Sequence, residues 1–233
     1  MVLTSYLDPA ELYRARSGEV NPNRPLFTGD VFDDVAIPGI QDDGCGILIA
    51  HPCSMREGNK LRVRILAAKV LINQPAVPPA KWKSGYYSKA PLPDLGILGD
   101  CVVLLDTIGA AASEALDPTR RIACLSDFGI NLLQQRLTFY LTRAAIETWK
   151  FQEATEHTMV EADLLEGWID ELALAGWEPQ TATEAFNVFL RDGEPSLQSQ
   201  LEDPQRRSSV RRACRGKIKE LTAEGSPKNT ESA

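Results

Sequence analysis

The apolar residues of this chain change period once, near Ser126. Before it they recur every second residue or run together in short blocks. After it they recur every three to four residues. Side chains two apart share a face of a strand, and side chains three or four apart share a face of a helix. A chain that makes this switch once, instead of alternating the two periods, predicts strands gathered into one sheet and helices segregated from it. The reading is α+β, not a parallel sheet with interleaved helices.

In the first part, "DVFDDVAI" carries Val31, Val35 and Ile37 at β spacing, and "GILIA" reads as a buried strand. "KLRVRILAAKV" alternates, with Leu61, Val63, Ile65 and Ala67 on one side and Arg62 and Arg64 on the other. "PAVPPAK" is a loop, because proline cannot donate in a central strand. "GYYSK", "DCVVLLDTI" and "RRIACLS" bring the total to about six strands, and turn signals at this spacing predict a small, strongly curved, mostly antiparallel barrel. Upstream, Asp8-Pro9-Ala10-Glu11 has the features of a helix start and Gly18 those of a stop. Residues 1–25 therefore read as an N-terminal helix and connector, the latter "NPNRP". Downstream of Ser126, Ile130, Leu133, Leu137, Leu141 and Ala144 mark a helix that closes the barrel, which spans 26–149. Residues 150–222 form a helical extension. Val160, Leu164, Trp168, Ile169 and Leu172 stripe its first helix, which Gly176 stops. Thr181 and Glu184 make a capping box, and Val210, Cys214, Ile218 and Leu221 share the face of the last helix. Residues 223–233 are expected to be disordered.

Hydrophobic residues make up 43% of the chain, enough for a sizeable core. The first twenty residues lack the apolar stretch of a signal peptide, and no apolar run approaches the roughly 20 residues of a membrane span. Five scattered cysteines, odd in number and without a CxxC pair, fit thiols in a reducing cytoplasm. Two histidines without ligand spacing give no reason to expect a metal, and no cofactor fingerprint is present. The net charge of −7 hides an uneven distribution. Between His51 and Leu92, Arg56, Lys60, Arg62, Arg64, Lys69, Lys81, Lys83 and Lys89 face Glu57 alone. Between Glu147 and Asp203 only Lys150 and Arg191 stand against a long series of acids.

The strand order and several short motifs resemble the MazF/PemK toxin barrel, an SH3-like fold. "GDVF" at residues 29–32 is similar to that family's opening strand, "ILIAHPCS" to its second and "RVRILAAKV" to its third. "APLPDLGILGDCVVLLDTIGAAASEAL" and "RRIACLSDFGINLLQQRL" resemble its later strands and closing helix. The resemblance covers roughly Leu26 to Trp149 and implies an SH3-like barrel, RNA as ligand and endoribonuclease chemistry in a toxin-like or defence-like role. The chain departs from the family pattern at the chemistry. Cys45-Gly46 stands where an Arg is usual, and Ala67-Ala68-Lys69 where a hydroxyl is usual.

Other residues are candidates for that chemistry. His51 can move a proton near neutral pH, Ser54 offers a hydroxyl and Arg56 can hold a phosphate. Cys53 as a nucleophile would need a lowered pKa. The ordinary alternative is a strand end with a Pro turn. Cleavage of RNA needs a base, an acid and positive charge on the phosphate, so enzyme and non-catalytic protein both stay open. The candidate nucleic-acid contacts are Lys60, Arg62, Arg64, Lys81, Trp82, Lys83, Tyr86 and Lys89, with Tyr87 beside them. Cations grip phosphates and aromatics stack on unpaired bases; the same residues equally fit a solvated strand face with core aromatics. The expected partner is single-stranded RNA. A protein partner is the alternative, the chain then being a non-catalytic interaction module of a larger bacterial assembly. Within the chain, the acidic segment near Glu161–Glu171 could dock on the basic strand Lys60–Arg64 or the loop Lys81–Lys89. The Arg206–Lys219 helix could bind RNA or pair with acids beside it.

Overall fold

The computed structural model describes residues 2–38, 44–57 and 60–225. The chain forms two compact units. The first comprises Met1–Pro22 and Leu26–Thr155; the second comprises Asn23–Pro25 and the chain from Glu156 onward.

The first unit is built on a strongly curved seven-stranded antiparallel sheet, a half-barrel. Its strands are β1 (Tyr13–Arg16), β2 (Asp30–Val35), β3 (Gly44–Leu48), β6 (Arg64–Leu71), β7 (Lys89–Leu92), β8 (Cys101–Ala112) and β9 (Arg121–Leu125), in the order β1-β9-β2-β3-β6-β8-β7. A separate two-stranded ribbon pairs β4 (Arg56–Glu57) with β5 (Lys60–Leu61). Short helices α1 (Pro52–Met55) and α2 (Pro79–Trp82) lie in connections, and α3 (Asp127–Thr142) follows the last strand. One face of the sheet carries a core of Phe32, Leu48, Met55, Ile65, Ala67 and Ala111. Val31, Ile47, Ala68 and Ala123 are in register with one another on the other face and are also buried, as are Ile130 and Leu133 of α3. Fully burying a side chain of this size contributes about 1.5–3 kcal/mol.

Two local devices fix the start of this sheet. Gly29 has φ +85°, and a Cβ there would lie 2.8 Å from the Cβ of Leu125, so only glycine lets β2 approach β9. Next to it, Asp30 and Arg121 form an ion pair at 2.7 Å whose side chains are shut off from solvent. The Asp30 Oδ2 also accepts from the Phe27 N–H at 2.9 Å, and Arg121 Nη2 donates to the Asn21 carbonyl at 2.9 Å.

Several local expectations are corrected. The helix expected from Asp8 to Gly18 is a single 3-10 turn, Pro9–Leu12, after which Tyr13–Arg16 pairs with β9. Asp8 caps the turn as expected, but strand pairing overrides its continuation. The run "KLRVR" is not one core strand. Arg62 donates its backbone N–H to the Met55 carbonyl at 2.8 Å, and the chain turns at Val63 before β6 begins. Only Ile65 and Ala67 reach the core; Leu61 and Val63 are exposed. "GYYSK" contributes only Lys89 to a strand. The helix expected to run to Trp149 stops at Thr142, capped by Arg143 in the left-handed region, and a new helix starts at Thr148.

That helix is α4 (Thr148–Leu174), and the division between the two units falls within it. The second unit continues with α5 (Pro179–Arg191), α6 (Leu197–Gln200) and α7 (Arg207–Glu224). Its start signal for α5 is Pro179 at the first helical position, so Thr181 lies inside the helix instead of capping it. Trp168, Leu172, Phe186, Leu190, Val210 and Cys214 form its core, with the rings of Trp168 and Phe186 5.4 Å apart edge to face. Of the segment expected to be disordered, Ala223 and Glu224 close α7, and residues 226–233 lie outside the described residues. No helix among the described residues is long and apolar enough to cross a membrane.

Candidate nucleic-acid interface

The end of β3 delivers His51 to the start of α1. The backbone reverses there because Pro52 suits the first helical position, and Met55 is driven wholly into the core. His51 is the cap of this turn: its Nδ1 accepts from the Cys53 N–H at 3.3 Å. A neutral imidazole that accepts at Nδ1 carries its proton on Nε2. The ring so held is a hydrogen-bond donor at Nε2, and acting as a base at Nδ1, or as an acid in its imidazolium form, requires it to give up the cap. Cys53 and Ser54 are exposed. The Ser54 hydroxyl makes no hydrogen bond among the described residues, so nothing there activates it.

The same corner contains the first group of cations. Arg56 opens β4 and pairs in register with Leu61, Glu57 pairs with Lys60, and the Arg62 Nε donates to the Arg56 carbonyl at 3.4 Å. Arg64 begins β6 opposite Ala112, the last residue of β8. Lys60, Arg62 and Arg64 are exposed, and none is in an ion pair among the described residues. Leu61, Val63 and Leu66 are interleaved with them, 38%, 79% and 50% exposed. The structure thus brings His51, Ser54 and Arg56 together with Lys60, Arg62 and Arg64.

The second group of cations is elsewhere. Lys89 pairs with Leu104 and Val70 with Val103, near the opposite end of β8 from Ala112. Six residues of β6 separate Arg64 from Val70, about 20 Å along the sheet. Lys81 and Lys83 are exposed, but Trp82 is only 2% exposed and is a core residue, which removes it from the expected stacking set. Its burial has a specific cause. Arg136 of α3, itself 1% exposed, lies 5.1 Å over the indole ring and donates to the carbonyls of Trp82 and Lys89. Burial without a carboxylate partner pushes the Arg136 pKa down to about 10. Tyr86 leans on Trp82 at 4.9 Å and Tyr87 on Phe139 at 5.2 Å, so both aromatics left at the surface are partly committed to packing. Sequence reasoning missed Arg136, and a lone Arg in an amphipathic helix gives no sign that it clamps a loop 47 residues or more upstream.

The acidic segment has partners inside its own unit. Glu161 pairs with Arg191 at 2.9 Å, Glu156 with Arg207 at 2.7 Å, and Asp163 and Glu166 with Arg24 at 3.0 and 2.7 Å. Asn23 Nδ2 adds a bond to Asp170 at 2.9 Å. The "NPNRP" stretch, expected to be a plain connector, is therefore a strap on α4.

No protein-family model matches the chain, and no curated protein matches it.

Proposed function

We propose that this protein binds single-stranded RNA through the corner formed by α1, the β4–β5 ribbon and the start of β6, acting in the cytoplasm in a toxin-like or defence-like role. One observation carries this reading: Lys60, Arg62 and Arg64 stand exposed around Arg56, in no ion pair among the described residues and with Glu57 as the one acid of the ribbon, in a chain whose net charge is −7. Cations gathered in excess of acids form a field that attracts a polyanion, and phosphate contacts release counterions. The MazF/PemK resemblance supports RNA as the polyanion. Its test is fluorescence anisotropy of a labelled single-stranded RNA over a range of salt. The triple variant Lys60→Ala/Arg62→Ala/Arg64→Ala should lower the slope of log K against log salt by about 2, from roughly 0.7 per phosphate contact. An unchanged slope, or wild-type protein without salt-sensitive binding, refutes the reading and leaves the protein-interaction module, for which Leu61, Val63 and Leu66 offer the apolar surface.

A second reading, RNA cleavage, is favoured by His51 and Arg56 sharing this corner. In it Arg56 holds the scissile phosphate, and His51, released from its cap, takes the 2′-hydroxyl proton at Nδ1 as that oxygen bonds to phosphorus and the 5′-oxygen leaves, protonated by water. Loss of cleavage in both His51→Ala and Arg56→Ala, with RNA binding kept in the first, is the expected result. Cleavage that survives both removes them from the chemistry.

A further inference from the structure

The basic helix α7 sorts its cations into two classes. Arg206 at its cap pairs with Asp203 at 3.4 Å, Arg207 with Glu156 at 2.7 Å and Lys217 with Glu220 at 2.9 Å. Arg211, Arg212, Arg215 and Lys219 are exposed and are in no ion pair among the described residues. Residues three and four apart are neighbours on a helix surface. None of these four has an acid at either spacing; their neighbours there are Arg207, Ser208, Ser209, Cys214, Gly216, Ile218, Thr222, Ala223 and one another. Arg211, Arg215 and Lys219 follow at four-residue steps, each a rise of about 6 Å. The stripe lies away from Val210, Cys214 and Ile218, which face the core. Like charges at this spacing destabilise a helix. The second unit is rich in acids, yet it spends them on Arg24, Arg191 and Arg207 and leaves this stripe uncompensated.

We infer that the Arg211–Arg212–Arg215–Lys219 face of α7 is a second polyanion-binding surface, one that takes the phosphate backbone of double-helical RNA. The stripe itself contains no aromatic side chain; a groove with Val188 and Phe189 opens beside it, at Ala213 and Gly216. Within the stripe there is nothing on which to stack an unpaired base, which is how single strands are gripped. Contacts of this kind read phosphates and helical shape, the mode by which duplex RNA is recognised. Choosing RNA over DNA rests on the function proposed above; the polyanion surface itself does not.

The experiment uses the full chain and two labelled probes, an RNA hairpin and an unstructured single strand, titrated at several salt concentrations. The variant Arg211→Gln/Arg212→Gln/Arg215→Gln/Lys219→Gln should lower the hairpin slope by about 3, from roughly 0.7–0.9 per contact. It should leave single-strand binding unchanged. The ribbon variant Lys60→Ala/Arg62→Ala/Arg64→Ala should do the reverse, so failure of one surface is visible apart from failure of the other. Because the substituted residues face away from the core, the glutamine variant should keep its far-UV circular dichroism. As a second check Arg211→Lys/Arg212→Lys/Arg215→Lys should retain the hairpin slope, since phosphate contact needs only the charge. A glutamine variant with the wild-type hairpin slope overturns the inference. So does wild-type protein that ignores the hairpin but binds a DNA duplex of the same length or vesicles containing phosphatidylserine.

Discussion

Removing the charge of Asp30 tests how the first unit is held together. In Asp30→Asn the oxygen that accepts from both Arg121 and the Phe27 N–H can still do so, so the variant removes the charge and keeps these two bonds. The Arg121 guanidinium remains, fully enclosed, and it cannot neutralise itself by losing a proton. Breaking one side of a buried pair costs about 3–5 kcal/mol. Arg121→Met should cost a similar amount at pH 7, but for a different reason. It takes the cation from the carboxylate and one donor from the Asn21 carbonyl, and a buried carboxyl without its cation can take up a proton because burial raises its pKa. A group raised in the folded state keeps its protonated form stable below the raised value and destabilises the fold as pH climbs through it. The loss in Arg121→Met should therefore shrink between pH 7 and pH 5, while the loss in Asp30→Asn should not.

The double variant Asp30→Leu/Arg121→Met contains no buried charge, but it leaves the Phe27 N–H and the Asn21 carbonyl without these partners, at about 1–3 kcal/mol each. It should cost about as much as either single change, well short of their sum. The assay is urea unfolding followed by hydrogen exchange at the amides of β2 and β9, which reports this unit. In a unit of about 150 residues a loss of 3–5 kcal/mol lowers Tm by roughly 6–20 °C. Single losses under about 1 kcal/mol, or strict additivity in the double variant, would refute the argument that this pair is a mutual requirement.

Two further predictions concern devices inside each unit. Arg24→Ala should destabilise the second unit by about 3 kcal/mol, since it removes a 6% exposed guanidinium from between Asp163 and Glu166; faster hydrogen exchange in α4 is the readout, and unchanged exchange refutes it. Gly129→Ala should destabilise the first unit by more than 1 kcal/mol despite alanine's higher helix propensity. Its Cβ would sit 2.2 Å from the Leu12 carbonyl oxygen, a backbone atom that cannot swing aside; a Tm equal to or above wild type sinks this.

The period switch at Ser126 was legible because it is written in local spacing, and the α+β architecture with a curved antiparallel sheet and trailing helices follows from it. The sheet is a half-barrel with β1 and β7 at its ends. What the sequence hid depends on distant partners. Tyr13–Arg16 carries a good helix start immediately before it, and only β9, more than a hundred residues later, makes it a strand. Trp82 sits among lysines and tyrosines in a pattern that fits base stacking, and only Arg136 shows that the ring is enclosed. The candidate catalytic residues His51, Ser54 and Arg56 fall at the cap of α1, within it and at the start of β4. That Nδ1 of His51 accepts from the backbone of Cys53 could not be read from residue types.

The same limit governs the cations, and it explains why charge counting along the chain is a poor guide to ligands. Arg120 and Arg121 are adjacent and chemically identical. One is exposed and pairs with Asp33 and Asp34 at 3.0 and 2.6 Å; the other is buried on Asp30. Arg24, Arg121 and Arg136 are all spent inside the fold, the first two on carboxylates and the third on carbonyls and an indole. A guanidinium so used has no remaining capacity to attract an anion at contact distance. Lys60, Arg62 and Arg64 by the ribbon, and Arg211, Arg212, Arg215 and Lys219 on α7, are among the exposed cations that are in no ion pair among the described residues. They lie in different units, on unlike scaffolds, one a two-stranded ribbon with interleaved apolar side chains and the other a bare helix face. On the readings proposed above, a flexible single strand would follow the ribbon and rest its bases on Leu61 and Val63, whereas the stripe on the helix presents charge and would take a polyanion whose bases are already paired.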